Sequence, residues 1–389
     1  MNQVISTERI PIKLWLDDIE DGALNQAKNM AHLPFAFKHI AIMPDSHEGY
    51  GMPIGGVLAT KGVIVPNAVG VDIGCGMCAL KTNLDNISKD DLKKIMSGIR
   101  ELVPLGFEHH KDKQDIALMP SEENIVKNGM VERQFESARK QIGTLGGGNH
   151  FIEIQQGSDG HIWIMIHSGS RNIGLKVADY YNKIAQNLNE RWHSTVEKST
   201  NLAFLPIETP EAKDYFDEMQ YCVDFAFANR KLMMTNIVSV FMDHFKGNFS
   251  ELEFVNIAHN YARWENHYNT NVIVHRKGAT SAKEGETGII PGSQGTKSYI
   301  VRGKGNAESF ESCSHGAGRV LGRKQAERTL DLKAEIAKMN EMGIIHSLRS
   351  KSDLDEAPGA YKNIDTVMKN QQDLVEIVVE LSPLAVIKG

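Results

Sequence analysis

Apolar residues along this chain recur with two periods, and the change from one to the other sketches the elements. Phe37–Pro44 (FKHIAIMP) is a short, nearly unbroken apolar run of the kind a buried strand makes. It leads into Asp45–Gly56, polar and glycine-bearing, which predicts a loop. Gly62–Ala68 and Val69–Ile73 predict two further short strands. Leu92, Ile95, Ile99 and Leu102 fall at helical spacing, so Asp85–Val103 is expected to be a helix. Glu108–Gly129 carries no period and predicts an irregular loop. Phe151–Ile154 and Ile162–His167 read as strands, and Ser168–Gly174 as a turn into a helix. Glu211–Phe245 predicts one long helix whose Met and Phe stripe packs in a core. Phe254–Ile257 and Val272–Arg276 predict strands. Two glycine-rich loops come next, Lys277–Lys297 and Gly303–Arg319, then a polar helix at Leu321–Met342. Leu374–Ile387 closes the chain as a strand.

Strands and helices mix without regular βαβ alternation, which favours an α+β fold over a doubly wound sheet. Glycine-rich segments scattered along the whole chain argue for one composite cleft. The expectation is therefore a single large domain over residues 1–389, with mixed sheets and surrounding helices.

Composition changes this picture little. Of 389 residues, 41% are hydrophobic and 24% charged, as in an ordinary soluble protein. The net charge of −6 carries no global nucleic-acid signature. Locally, Arg263–Arg328 holds eleven Lys/Arg against six Glu and no Asp, which suits phosphate binding as well as a solvated basic face. The N-terminus lacks an apolar signal core, and no run approaches the ~20 residues of a membrane span. Four cysteines are too few for a disulfide scaffold, so a reducing cytoplasm and no membrane partner are expected.

Chemistry concentrates at histidines. Among 15, four stand at element ends beside Gly, Asn or Ser: His150, His167, His259 and His315. Any one alone reads as a hydrogen-bonded structural residue; the shared setting points to a ligand. Asp72 and Cys75 lie in VGVDIGCGM, where glycines let a carboxylate and a thiolate converge. With three imidazoles they make a set for one or two divalent metals. Cys75-x-x-Cys78 lacks a second pair and a redox context, so Cys78 is expected to be a buried thiol. Pro291–Ser298 (PGSQGTKS) resembles a P-loop, but Thr296 separates Gly295 from Lys297 and the spacing fails. Its amides, Ser293, Lys297 and Ser298 are still candidates to cradle phosphate. Gly49, Gly51 and Gly55 make a defective dinucleotide fingerprint, and the Lys-x-Asp-Gly signature of lysine-adenylating ligases is absent. In Ser312–Arg319 (SCSHGAGR) small residues would let a phosphate reach the imidazole of His315, which can act as a nucleophile.

Together the segments VGVDIGCGM, LGGGNHFIEI, IHSGSRNIG, AHNY, RKGA, IIPGS, SYIVRGKGN and SCSHGAGR resemble the RtcB family of RNA ligases, from Pro34 to the terminal IKG. The resemblance implies an enzyme that uses GTP and Mn²⁺. It would join RNA ending in 2′,3′-cyclic phosphate or 3′-phosphate to RNA with a 5′-hydroxyl, in tRNA splicing or RNA repair. The family's guanylylated histidine matches His315. Its metal ligands match Asp72, Cys75, His150, His167 and His259. Cys75 would bridge two ions, with Asp72 and His259 on one and His150 and His167 on the other; Zn²⁺ or Co²⁺ could also occupy the site. Nucleotide contacts carry over to Asn149, His150, Phe151, Ile152, Glu153, His259, Asn260, Pro291, Gly292, Ser293, Gln294, Ser298, His315, Gly316, Ala317, Gly318 and Lys388. Gln294 replaces the Met often found in the family. Ser46 and Glu48, near the expected RNA path, could tune which end is accepted, and Arg319 could offset phosphate charge. Some relatives need an activating protein, for which no docking feature is legible. The competing readings are a metal-dependent phosphoesterase without covalent nucleotide, a paralogue for damaged tRNA or rRNA, and a noncatalytic RNA-binding scaffold.

Overall fold

A computed structural model describes all 389 residues. Seven strands form one curved sheet in the order Glu251–Ala258, Gly76–Thr82, Ile162–Ser168, Phe151–Gly157, Val375–Lys388, Ser298–Gly303, Thr287–Ile290. Its edge strands approach each other, so the sheet curls nearly into a barrel. Met77, Ala79, Trp163, Met165, Ile300 and Val379 fill the inside. The alternate residues Cys78, Leu80, Ile152, Ile164 and Ile166 pack outward under the helices Lys89–Leu102 and Pro210–Phe245. The central strands Gly76–Thr82 and Ile162–Ser168 are buried on both faces, and Ile162–Ser168 accordingly reads as a continuous apolar run.

A second sheet of six strands runs Gln3–Ile5, Ile12–Leu14, Ala36–Tyr50, Met52–Thr60, Thr270–Lys277, Asn260–His267. The chain steps from the curved sheet to this one at a single residue, His259, between Glu251–Ala258 and Asn260–His267. The mixture of sheets and flanking helices is the expected α+β class. The long helix starts at Thr209, whose hydroxyl accepts from Ala212 N, with Pro210 at the first position, and ends at the left-handed Lys246. No helix is long and apolar enough to cross a membrane.

Several local expectations are corrected. Asp45–Gly56 is not a loop: the strand Ala36–Tyr50 continues through it and turns back as Met52–Thr60. Buried Asp45 and Ser46, together with register shifts, hide the strand's alternation. Of Gly62–Ile73, only Val63–Ile64 is strand; Pro66–Ala68 is a single helical turn, and left-handed Gly70 and Gly74 keep the residues after it from extending. The glycine-rich loops contain the short strands Ala279–Ser281, Thr287–Ile290 and Ser312–Ser314, and Ser298–Gly303 lies between them. Leu321–Met342 is two helices, Arg323–Thr329 and Leu332–Glu341, because the Asp331 carboxylate caps the second by accepting from Ala334 N at 2.8 Å. Asn260–His267 escaped the apolar pattern because its inward residues include Glu265 and His267. Glu265 is paired with Arg276 at 2.5 and 3.0 Å.

Candidate functional site

One row of register partners crosses five strands of the curved sheet: Ile257, Met77, His167, Phe151 and Lys388. Residues in one row share a face. His167, Phe151 and Lys388 accordingly line the same cavity at the mouth of the curled sheet. One or two positions beyond the row, where the strands begin or end, stand His150, Cys75 and His259. Backbone bonds lock these ends together: His259 N donates to Cys75 O and Gly74 N to Asn260 O, each at 2.8 Å.

The side chains converge. Cys75 Sγ lies 3.5 Å from His150 Nε2 and 3.3 Å from His167 Nε2. His150 Nε2 lies 3.2 Å from Asp72 Oδ2. The five candidates fall into two triads that share the thiol, Asp72–Cys75–His150 and Cys75–His167–His259. All five expected residues come together, and Asp72 meets His150 rather than His259. Loop geometry decides this: Asp72 rests against Gly169, where any Cβ would collide with its carboxylate. Sequence spacing carries no such information.

The donor set suits divalent cations, one thiolate, one carboxylate and three imidazoles. Burial and the Asp72 charge push the Cys75 thiol up. Burial and neighbouring imidazoles hold His167 and His259 well below the usual histidine range. His150 Nδ1 and His259 Nδ1 are buried without a hydrogen-bond partner. A cation among these groups would reverse the cost of ionising the thiol. His167 Nδ1 lies 3.1 Å from Asn149 O, so that nitrogen carries the proton and Nε2 keeps its lone pair for a metal.

His315 comes from the other side. It follows the strand Ser312–Ser314, which pairs with Ala279–Ser281 beyond the end of the six-stranded sheet. Its ring packs on His259, with centroids 4.8 Å apart. Its Nδ1 lies 2.6 Å from Asp45 Oδ2, and the same oxygen accepts from His315 N at 3.1 Å and Gly316 N at 3.2 Å. Asp45 is fully buried. Burial would raise its carboxyl, but the His315 imidazole, helped by His47 and Lys362, holds it below the ordinary range. In the neutral ring this contact places the proton on Nδ1, facing Asp45, and leaves Nε2 of His315 with a free lone pair. Gly318 completes the turn at φ +74, and a Cβ there would strike the Asp45 backbone.

The cavity between the halves measures about 210 Å³. Asn149, Phe151, Glu153, Pro291, Gly292, Ser293, Gln294, His315, Gly316, Ala317, Gly318 and Lys388 all line it. A second space of about 220 Å³ continues it past Gln294, Arg323, Glu356 and Lys388. A larger open cleft of about 660 Å³ beside helix Arg171–Arg191 contains no His or Cys, so volume does not mark the chemistry. Other expected contacts lie outside the lining. Ile152 points into the hydrophobic core, one residue out of phase with Phe151 and Glu153. Ser298 Oγ accepts from Gly292 N at 3.1 Å and shapes the loop. Asn260 is a brace, donating to Asp72 O at 3.0 Å and accepting from Gly278 N at 2.8 Å. In the P-loop-like segment Lys297 turns away to pair with Glu380, and Ser293 N is held by Thr296 Oγ1 at 2.7 Å. Arg319 is engaged too, pairing with Glu356 at 3.1 Å. Ser46 is buried, whereas Glu48 is exposed.

The sequence matches the family described as tRNA-splicing ligase RtcB over residues 26–133 and 121–389. The chain belongs to the RtcB family. It is 39% identical to the RNA-splicing ligase RtcB of Escherichia coli, over 100% of this chain and 99% of that protein. It is 33% identical to the tRNA-splicing ligase RtcB of Nanoarchaeum equitans and 32% to that of Thermococcus kodakarensis, each over 98% of this chain and 95% of the relative.

Within this RtcB site, four residues escaped sequence reasoning. Asp45 sits in a stretch that reads as a polar loop. Glu356, buried, gathers Arg319, Tyr361 and Lys388, and these contacts hold its carboxyl low despite burial. Asn229 and Arg230 lie in the Met/Phe-rich helix. Asn229 accepts from Gly143 N and Thr144 N and donates to Gly169 O. Arg230, fully buried, donates to Gly74 O at 3.0 Å, Ser168 O at 2.9 Å and Asn256 Oδ1 at 2.7 Å, with no carboxylate partner. The helix thus clamps the loops that carry Asp72, Cys75 and His167. The only signal was a polar pair inside an apolar stripe.

Proposed function

We propose that this chain is an RNA ligase that joins a 2′,3′-cyclic phosphate or 3′-phosphate end to a 5′-hydroxyl end through a guanylylated His315, in tRNA splicing or RNA repair. The observation that carries the reading is the Asp45–His315 pair at 2.6 Å. A buried, ionised carboxylate fixes the tautomer and aims Nε2 as a nucleophile, a role that a phosphoesterase working by activated water would not need. Nε2 attacks the α-phosphorus of GTP, the bond to the β-phosphate oxygen breaks, and pyrophosphate leaves. The imidazolium formed is stabilised by Asp45. An RNA 3′-phosphate oxygen then takes GMP from His315, and the 5′-hydroxyl oxygen attacks the activated 3′-phosphate and expels GMP. A cyclic end is first opened by water, which breaks the bond from phosphorus to the 2′-oxygen and leaves a 3′-phosphate and a 2′-hydroxyl.

Asp72, Cys75, His150, His167 and His259 would hold one or two Mn²⁺ ions, which when bound offset triphosphate charge. Phe151 offers an apolar wall to guanine, and Lys388, held by Glu356 at 3.3 Å, a cation to the nucleotide. Both sheets build one site, which supports a single working unit over residues 1–389. On affinity order zinc outcompetes manganese at such a donor set, so excess zinc should inhibit sealing.

The test is incubation with Mn²⁺ and α-labelled GTP, followed by a search for acid-labile, alkali-stable label on the protein. Absence of label from the native chain would defeat the mechanism. RNA with 3′-phosphate and 5′-hydroxyl ends should be sealed, and RNA with 3′-hydroxyl and 5′-phosphate ends should not.

A further inference from the structure

Phe107 is 97% exposed, more than any other large apolar side chain of the protein. Its turn is nevertheless well anchored. Leu145 N donates to Pro104 O at 2.9 Å, Glu108 N to Leu105 O at 3.0 Å, and Arg171 Nη2 to Gly106 O at 2.7 Å. Leu145 opens the glycine-rich stretch that delivers His150, and the charge of Arg171 acts on Asp72. The terminal Gly389, next to Lys388 of the cavity wall, lies against Gly106. A ring on fixed backbone at the rim of the site forgoes the gain from burial. After it Glu108 and Asp112 are matched in number by Lys111 and Lys113, with His109 and His110 between them, so the turn offers a π-face more than a net charge.

We propose that Phe107 is a stacking platform for an unpaired nucleobase of the RNA strand entering the site. It sets RNA affinity and takes no part in the chemistry. The proposal rests on the ligase reading, and it adds a contact which that reading does not require. Single-stranded RNA is held without sequence preference by bases stacking on aromatic rings.

The experiment measures binding of a short single-stranded RNA ending in 3′-phosphate to the native chain and to Phe107→Ala, Phe107→Leu and Phe107→Trp. Alanine should weaken binding about tenfold, equally at low and high salt, and leucine nearly as much, while tryptophan keeps native affinity and is quenched by the RNA. Sealing by the alanine variant should show a raised KM for RNA with kcat unchanged. Labelling of His315 by GTP should be equal in all four proteins, which separates this proposal from the ligase reading. An alanine variant within about twofold of native affinity, or a leucine variant equal to phenylalanine, would overturn it and leave Phe107 as a contact for a protein partner. If the native chain takes no label, the ligase reading falls and the proposal falls with it.

Discussion

The curved sheet presents His167, Phe151 and Lys388 in one hydrogen-bonded row, with Cys75, His150 and His259 at the strand ends. His315 instead stands on a three-residue strand and a glycine turn, tied to the other sheet by the Asp45 carboxylate and, through Ser312, by Arg276. The first half is held by many redundant bonds, including those from Asn229 and Arg230. In the second, the hydrogen bond that sets the His315 ring comes from one buried residue, Asp45. Metal ligands tolerate little displacement, so a rigid scaffold suits them. A nucleophile needs one nitrogen free and aimed, and one charge-assisted bond can set that.

The contrast can be broken most sharply at His315. His315→Ala should take no label from GTP yet bind metal as the native chain does; labelled H315A protein would end the assignment. Cys75→Ala should do the reverse to metal. Because both triads share its sulfur, metal affinity should fall by more than the roughly 10–100-fold typical of losing an outer partner, with activity lost in parallel. Equilibrium dialysis with Co²⁺ or Zn²⁺ would read this directly. Asp45→Ala should slow guanylylation by about 10²-fold or more while leaving metal binding intact. Equal loss of metal in D45A would show that the halves are not separable.

Arg230→Met probes the scaffold rather than the chemistry. It strands the carbonyls of Gly74 and Ser168 and the amide oxygen of Asn256, and should cost about 3 kcal/mol, visible as an earlier thermal transition. Unchanged stability would mean that the clamp is not what orders the metal loops. The smallest effect is expected at Glu153, whose carboxyl burial pushes up to about 8, against weaker pulls from Gln155 and Lys388. In the unfolded chain this group ionises in the ordinary glutamate range. The fold therefore loses stability as pH rises from there toward about 8. Glu153→Gln should remove that slope, gaining a few degrees in Tm near pH 8 and nothing near pH 4; parallel pH profiles for the two proteins would contradict it.

How much was legible depended on what each residue faces. Strand Ile162–Ser168 was readable because both its faces are apolar, whereas Gly76–Thr82, nearly as buried, was not read as a strand. Asn260–His267 was not, because a buried Glu265–Arg276 pair takes the place of apolar contacts. Ligand candidates could be named because Cys and His beside glycine are rare combinations. Asp45 and Glu356 could not, because a carboxylate in a polar stretch looks like any solvated one until its partners are known.

The order of residues alone determined the α+β class and membership of the RtcB family, and it named Asp72, Cys75, His150, His167, His259 and His315 as candidates. These come from short-range pattern and motif, which the chain carries wherever it goes. Only the tertiary structure decided that Asp72 faces His150, that Asp45 frees Nε2 of His315, that Lys297 and Arg319 are already paired, and that Phe107 is left in water. Each depends on which distant positions meet and which do not, and that is settled by packing and hydrogen bonding of the whole fold.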